Sequence, residues 1–223
     1  MINKSARSLG VVLMIIFIGL AARNVSACDL EMEVRHTDVQ EVKDFFATAN
    51  KEVLTFIGYS GSGYQDKEAM LAVATRILDD FNPKATIVNI GATPEGIGEV
   101  YDLAKRRGFM TTGIVSTQAM KYDAALSPCV DTVFYVEDQS WGGFIDGSER
   151  LSPTSTAMVE SSNILVGIGG GAVGRDELVT AKRMGKDVRF FPADMNHNVA
   201  REKARKKGLP EPTDFSGAAS AAF

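Results

Sequence analysis

The residues of this chain best suited to chemistry are one carboxylate and three glycine-rich loops. Glu177 closes the run Gly169-Gly170-Gly171-Ala-Val-Gly174-Arg175-Asp-Glu177. The other loops are Gly58-Tyr-Ser60-Gly61-Ser-Gly63 and Gly91-Ala-Thr93-Pro-Glu-Gly96-Ile-Gly98. Glycine lets backbone N–H groups come close to a phosphate. A helix starting directly after such a loop adds unpaired N–H donors and a partial positive charge. In that role the ligand is held by Gly58, Ser60, Gly61, Gly91, Thr93, Gly96, Gly98, Gly169, Gly170, Gly171 and Gly174. Each part also has a plainer reading. Glycines make tight turns, Ser60 and Thr93 suit turns and caps, and a carboxylate in a first helical turn is favoured by the helix dipole.

Other chemistries fit less well. No Lys directly follows a glycine loop, so the phosphate-loop pattern ending in Gly-Lys-Ser/Thr is absent. Gly58 to Gly63 reads G-x-x-G-x-G rather than G-x-G-x-x-G, and no acid ends the second predicted strand to hold a ribose. That argues against a dinucleotide-dependent dehydrogenase. Asp194 and His197 are three apart, and His36 is the only other histidine, so no metal cluster is expected. No cofactor is expected either. Trp141, the single tryptophan, can stack on a base or cover a core edge, and the second reading is preferred. Lys203, Arg205, Lys206 and Lys207 read as a solvated helix end. Cys129 reads as a packing residue. It can pair with Cys28 in an oxidising compartment, but their spacing does not establish the pair.

The elements that must position these groups alternate along the chain. Apolar, β-rich runs at 53–57, 85–90, 110–115, 130–136, 163–168 and 187–191 predict six strands. Helical periodicity covers 67–81, 98–107, 154–161, 175–184 and 198–207. The strands are apolar nearly throughout, as strands buried on both faces are. The fold class is therefore α/β: a doubly wound, mainly parallel sheet of about six strands with helices on both faces. All three glycine loops leave strand ends, where such sheets bind ligands. Val39, Val42, Phe45 and Phe46 predict a short amphipathic helix within an N-terminal extension, 28–52, ahead of the main domain, 53–209. The Pro-, Gly-, Ser- and Ala-rich residues 210–223 read as a flexible tail.

The chain has 223 residues, 45% hydrophobic and 23% charged, with 21 Gly and 2 Cys. This excludes collagen-like, disulfide-dense and disordered classes. Residues 1–27 carry Lys4, Arg7 and Arg23, no acid, an apolar run at 9–22 and Val25-Ser-Ala27 before Cys28. The run is short for a membrane span, and the arrangement reads as a secretory signal. Val-Ser-Ala-Cys also fits a lipobox, so cleavage after Ala27 and lipidation of Cys28 stay open, beside an uncleaved anchor. Each places the chain outside the cytoplasm or on a membrane, periplasmic or tethered to the envelope. Losing three cations takes the net charge from −4 to −7. Nucleic acid is not an expected partner of so acidic a body, and membrane contact is expected only through the leader or a lipid.

The loop pattern resembles the SLOG superfamily, which includes the Lonely Guy phosphoribohydrolases once misannotated as lysine decarboxylases. The resemblance spans about Val53 to Pro192. Against the family signature P-G-G-x-G-T-x-x-E, residues 169–177 align without a gap and match at Gly170, Gly171 and Glu177. Gly169, Val173 and Gly174 depart from it. The resemblance implies a Rossmann-like fold, usually homodimeric, binding a nucleoside 5′-monophosphate. In the hydrolytic members a Glu and an Arg cleave the N-glycosidic bond, through an oxocarbenium-like state that a carboxylate can stabilise. Glu177 matches the Glu. No Arg lies in the predicted helix 154–161, and Arg150 or Arg175 would have to substitute. The expectation is an exported nucleotide-binding protein, with a phosphoribohydrolase, or an interaction protein with a degenerate pocket, as alternatives.

Overall fold

The computed structural model describes Cys28 and residues 31–223. The leader at 1–27 lies outside the described residues. From the N-terminus the elements are β1 (Glu33–Thr37), α1 (Val39–Ala49), β2 (Glu52–Gly58), α2 (Lys67–Asp79), β3 (Thr86–Ile90), α3 (Val100–Arg106) and β4 (Met110–Ser116). Then follow α4 (Gln118–Lys121), β5 (Thr132–Val136), α5 (Pro153–Ser161), β6 (Ile164–Ile168), α6 (Ala172–Arg183), β7 (Asp187–Phe191), α7 (His197–Lys206) and α8 (Gly217–Ser220).

Seven strands form one sheet in the order β1-β5-β4-β3-β2-β6-β7, and every pairing is parallel. Alternate residues of the central strands feed two faces. Leu54, Phe56, Val88 and Ile90 pack with Met70, Leu78 and Tyr101 on the α2–α3 side. Val53, Ile87 and Ile114 pack with Val42, Phe46 and Met158 on the α1–α5 side. Burial on both faces is why the strands read as continuous apolar runs. From β2 the chain winds through β3 and β4 to β5, then returns to place β6 on the other flank of β2. Strand order therefore reverses between β2 and β6, and the crevice at their carboxyl ends is the expected ligand position.

Two segments differ from the sequence expectation. The described part of the expected extension, 28–52, also contributes a strand, because β1 joins the sheet edge in register with β5, from Glu33 opposite Thr132 to Thr37 opposite Val136. Its single aliphatic residue, Val34, is 48% exposed. Backbone pairing rather than burial makes this strand, so no apolar period marks it, and its charges suit a sheet edge. The tail at 210–223 does not hang free. Ala219 is fully buried, α8 packs on α6, and Phe223 stacks on Phe190 at 5.0 Å.

Candidate functional site

A cavity of about 550 Å³ opens at this reversal, within the size range of small-ligand sites. Its floor is apolar: Phe56, Ile57, Ile90, Ile114, Val115 and Met158. Its polar rim comes from the loops after β2 and β3, from the α6 N-terminus and from the loop after β5. Gly171 caps α6 with extended backbone and no side-chain acceptor. It lines the cavity together with Ala172, Val173 and Gly174. The unpaired N–H groups of a twelve-residue helix thus start at the cavity wall.

The eleven loop residues singled out from sequence divide into two sets. Gly58, Ser60, Gly61, Gly91, Thr93, Gly171 and Gly174 line the cavity. Gly96, Gly98, Gly169 and Gly170 do not, and backbone packing accounts for them. Gly96, at φ +61°, lies under the Tyr59 carbonyl, which accepts the Ile97 N–H at 2.7 Å. A Cβ on Gly98 would strike the Thr93 carbonyl. Gly169 is pressed between the Tyr59 ring and the Ala193 carbonyl, and the Gly170 carbonyl accepts the Ala219 N–H at 3.0 Å. Gly58 serves both ends, since it lines the cavity and also leaves room for the Tyr64 hydroxyl. That hydroxyl accepts the Tyr59 N–H at 3.1 Å and donates to the Ile168 carbonyl at 2.8 Å. It ties the carboxyl ends of β2 and β6 together, and burial raises its pKa.

Glu177 lies one and a half turns into α6 and lines the cavity while only 6% exposed. Burial pushes its carboxyl up to about 7, a rise that the Ser155 hydrogen bond opposes and the nearby Asp176 reinforces. Ser155 Oγ donates to Glu177 Oε1 at 2.6 Å and accepts the Gly143 N–H at 2.7 Å. A carboxyl that titrates near neutrality can give or take a proton.

Arg175 is not its partner. The Arg175 guanidinium turns to Asp176, at 2.7 and 2.9 Å, and the residue does not line the cavity. Arg150 is exposed in the hairpin closed by Phe144 and Leu151. Helix α5 offers Thr154 to the cavity and Ser155 to Glu177 instead of an Arg. No Lys or Arg is among the described residues that line the cavity. A nearby cation is Lys203 of α7, which reads as solvated from sequence. Its Nζ lies 2.8 Å from Ser62 Oγ and 3.3 Å from the Gly61 carbonyl, at the edge of the first loop.

Sequence reasoning missed two groups, Asp138 and Ser155, and preferred the other reading for two more, Trp141 and Cys129. Asp138 is buried, and its carboxylate accepts N–H bonds from Ser140 at 2.8 Å and Thr154 at 2.9 Å. Burial pushes its pKa up, but these bonds outweigh it and hold the carboxyl below its usual range. Asp138-Gln-Ser140 is an Asx-type signature that marks this turn. Ser155 carries no such signal, because its partner is 22 residues away. Trp141, for which the sequence favours a core edge over a stacking role, is 52% exposed and lines the cavity. Cys129 does more than pack, because it forms a disulfide with Cys28. Asp194 and His197 pair with each other at 3.0 Å.

No family model and no curated protein sequence matches this chain. Among solved structures, it is similar to TM1055, a structural-genomics target, with a TM-score of 0.46 and 18% identity over 61% of this chain and 72% of that one. It is also similar to the molybdenum cofactor carrier protein of Chlamydomonas reinhardtii, with a TM-score of 0.46 and 20% identity over 63% of this chain and 76% of that one.

Proposed function

We propose that this chain is an exported binding protein for a nucleoside 5′-monophosphate or a closely related nucleotide. The observation that carries the reading is the open cavity at the β2–β6 reversal, lined by the α6 N-terminus and by residues of two glycine loops. An anion is the ligand group a helix N-terminus favours, and the apolar floor suits an uncharged ring. The open volume speaks against a degenerate pocket. The signature resemblance at Gly170, Gly171 and Glu177 supports the same ligand class.

Hydrolysis of the N-glycosidic bond is the second reading, favoured by Glu177 alone. Its carboxyl sits in the cavity and titrates near neutrality, which suits activation of water. The Arg that the resemblance calls for is not among the described residues that line the cavity. Binding without turnover is therefore the primary reading.

Export is supported by the Cys28–Cys129 disulfide, since such bonds persist in oxidising compartments. The disulfide and a thioether lipid compete for one sulfur at Cys28. The pairing favours simple cleavage after Ala27 over a lipid anchor.

The test is thermal shift together with chromatography of released base, using residues 28–223 with the disulfide intact and a panel of nucleoside monophosphates. A melting shift without base release is the expected result. Base release that is lost in Glu177→Ala would replace binding by hydrolysis. Neither signal with any nucleotide would overturn the reading.

A further inference from the structure

We propose that Trp141 is the stacking platform for a flat heterocyclic ring of the ligand, backed by Tyr122. This inference rests on the nucleotide reading and identifies which wall of the cavity receives the base.

Three observations converge on it. Trp141 and Tyr122 stack with ring centroids 5.8 Å apart and planes at 29°. They nevertheless remain 52% and 62% exposed. Tryptophan is on average a highly buried residue, so an aromatic pair left in water at a cavity mouth adds little to folding. Surface of this kind marks a contact site.

The platform is also held still. Ser116 Oγ donates to the Ser140 carbonyl at 2.6 Å, and Ser140 Oγ donates to Asp138 Oδ1 at 2.9 Å. On the other side, the Gly142 N–H donates to Ser140 Oγ at 3.2 Å and the Gly143 N–H donates to Ser155 Oγ at 2.7 Å. Gly142 and Gly143 have φ of +116° and +86°, a backbone region that L side chains rarely adopt. The indole is thus presented from a braced loop, so little ordering remains to be done when a ring arrives.

Finally, the platform adjoins Glu177, the one carboxyl among the described residues that line the cavity. A Cβ placed on Gly142, the residue after Trp141, would stand 3.9 Å from Glu177 Oε1. Ser155 ties the two together by accepting from Gly143 and donating to Glu177. A face for stacking beside a carboxyl for an amine or ring N–H recognises a nitrogen heterocycle rather than a plain hydrocarbon ring.

Trp141 is the single tryptophan of the chain, so its fluorescence reports on the platform alone. The disulfide-bonded protein is titrated with AMP, GMP, CMP and UMP, with ribose 5-phosphate as the ringless control, and affinities are measured in parallel by calorimetry. The expected result is saturable quenching by nucleotides that follows calorimetric binding, with none from ribose 5-phosphate. Trp141→Phe then binds within a few-fold of the parent, while Trp141→Ala binds about ten-fold or more weakly at an unchanged melting temperature. Nucleotide binding by calorimetry without quenching, and with full affinity in Trp141→Ala, would overturn the platform and leave the nucleotide reading standing. No binding of any nucleotide would remove both.

Discussion

Glu177 illustrates how one buried group links stability to chemistry. Its carboxyl is raised by burial from 4.5 to about 7, so the folded state holds its proton more tightly than the unfolded chain does. Stability is therefore lost as pH rises from about 4.5 through about 7, where the ionised form is trapped in the core. Glu177→Gln cannot ionise. Its gain over the parent in urea unfolding should be small at about pH 5 and larger at about pH 8, by on the order of 2 kcal/mol. An equal gain at both pH values would show that burial does not perturb this carboxyl. Tyr64 is the structural counterpart. Its hydroxyl serves the Tyr59 N–H and the Ile168 carbonyl, and Tyr64→Phe leaves both without that partner. The expected cost is about 1–3 kcal/mol, read as a lower denaturant midpoint with an unchanged slope.

Among the elements, α6 carries the site and α8 supports the loop that leads into it. Gly174 lets α6 lie close on β2, because a Cβ there would stand 2.8 Å from Ile57 Cγ2. From the other side the Tyr59 hydroxyl donates to the Ser216 carbonyl at 2.7 Å, and the Ala219 N–H reaches the Gly170 carbonyl. The composition of 210–223 gives no sign of this, because small residues without an apolar period read as loose chain. Truncation after Asp214 should lower stability by on the order of 2 kcal/mol, measured by thermal unfolding. A truncated chain that melts with the parent would mean that the segment does not brace the Gly169–Gly170 turn. The edge strand β1 was illegible for a related reason: its energy lies in a backbone ladder with β5 rather than in buried side chains.

For the molecule as a unit, the Cys28–Cys129 bond closes a stretch with a sequence separation of 101. By loop entropy a crosslink of that length is worth about 4–5 kcal/mol. Reduction should therefore lower the melting temperature markedly, and Cys129→Ser should reproduce the reduced form without reductant. The same bond bears on the proposed export. Protein recovered from the cell envelope should show an unlipidated mass beginning at Cys28, lighter than the two-thiol form by its two hydrogens. A diacylglyceryl mass on Cys28 would overturn the disulfide and the proposed cleavage without a lipid anchor together.

The alternation of apolar runs and helical periods was enough to determine the α/β class and the central strands, because burial on both faces writes itself into residue type. The glycine loops were legible as turns at strand ends for the same local reason. Which glycines face the cavity was not legible, because Gly96 and Gly171 look alike until Tyr59 is seen above one and empty space beside the other. Nor could sequence decide that Arg175 turns to Asp176, that Ser155 serves Glu177, or that Trp141 stands at the cavity mouth. Those pairings join residues on different elements or depend on how a helix face is rotated. Only packing of the elements against one another sets them.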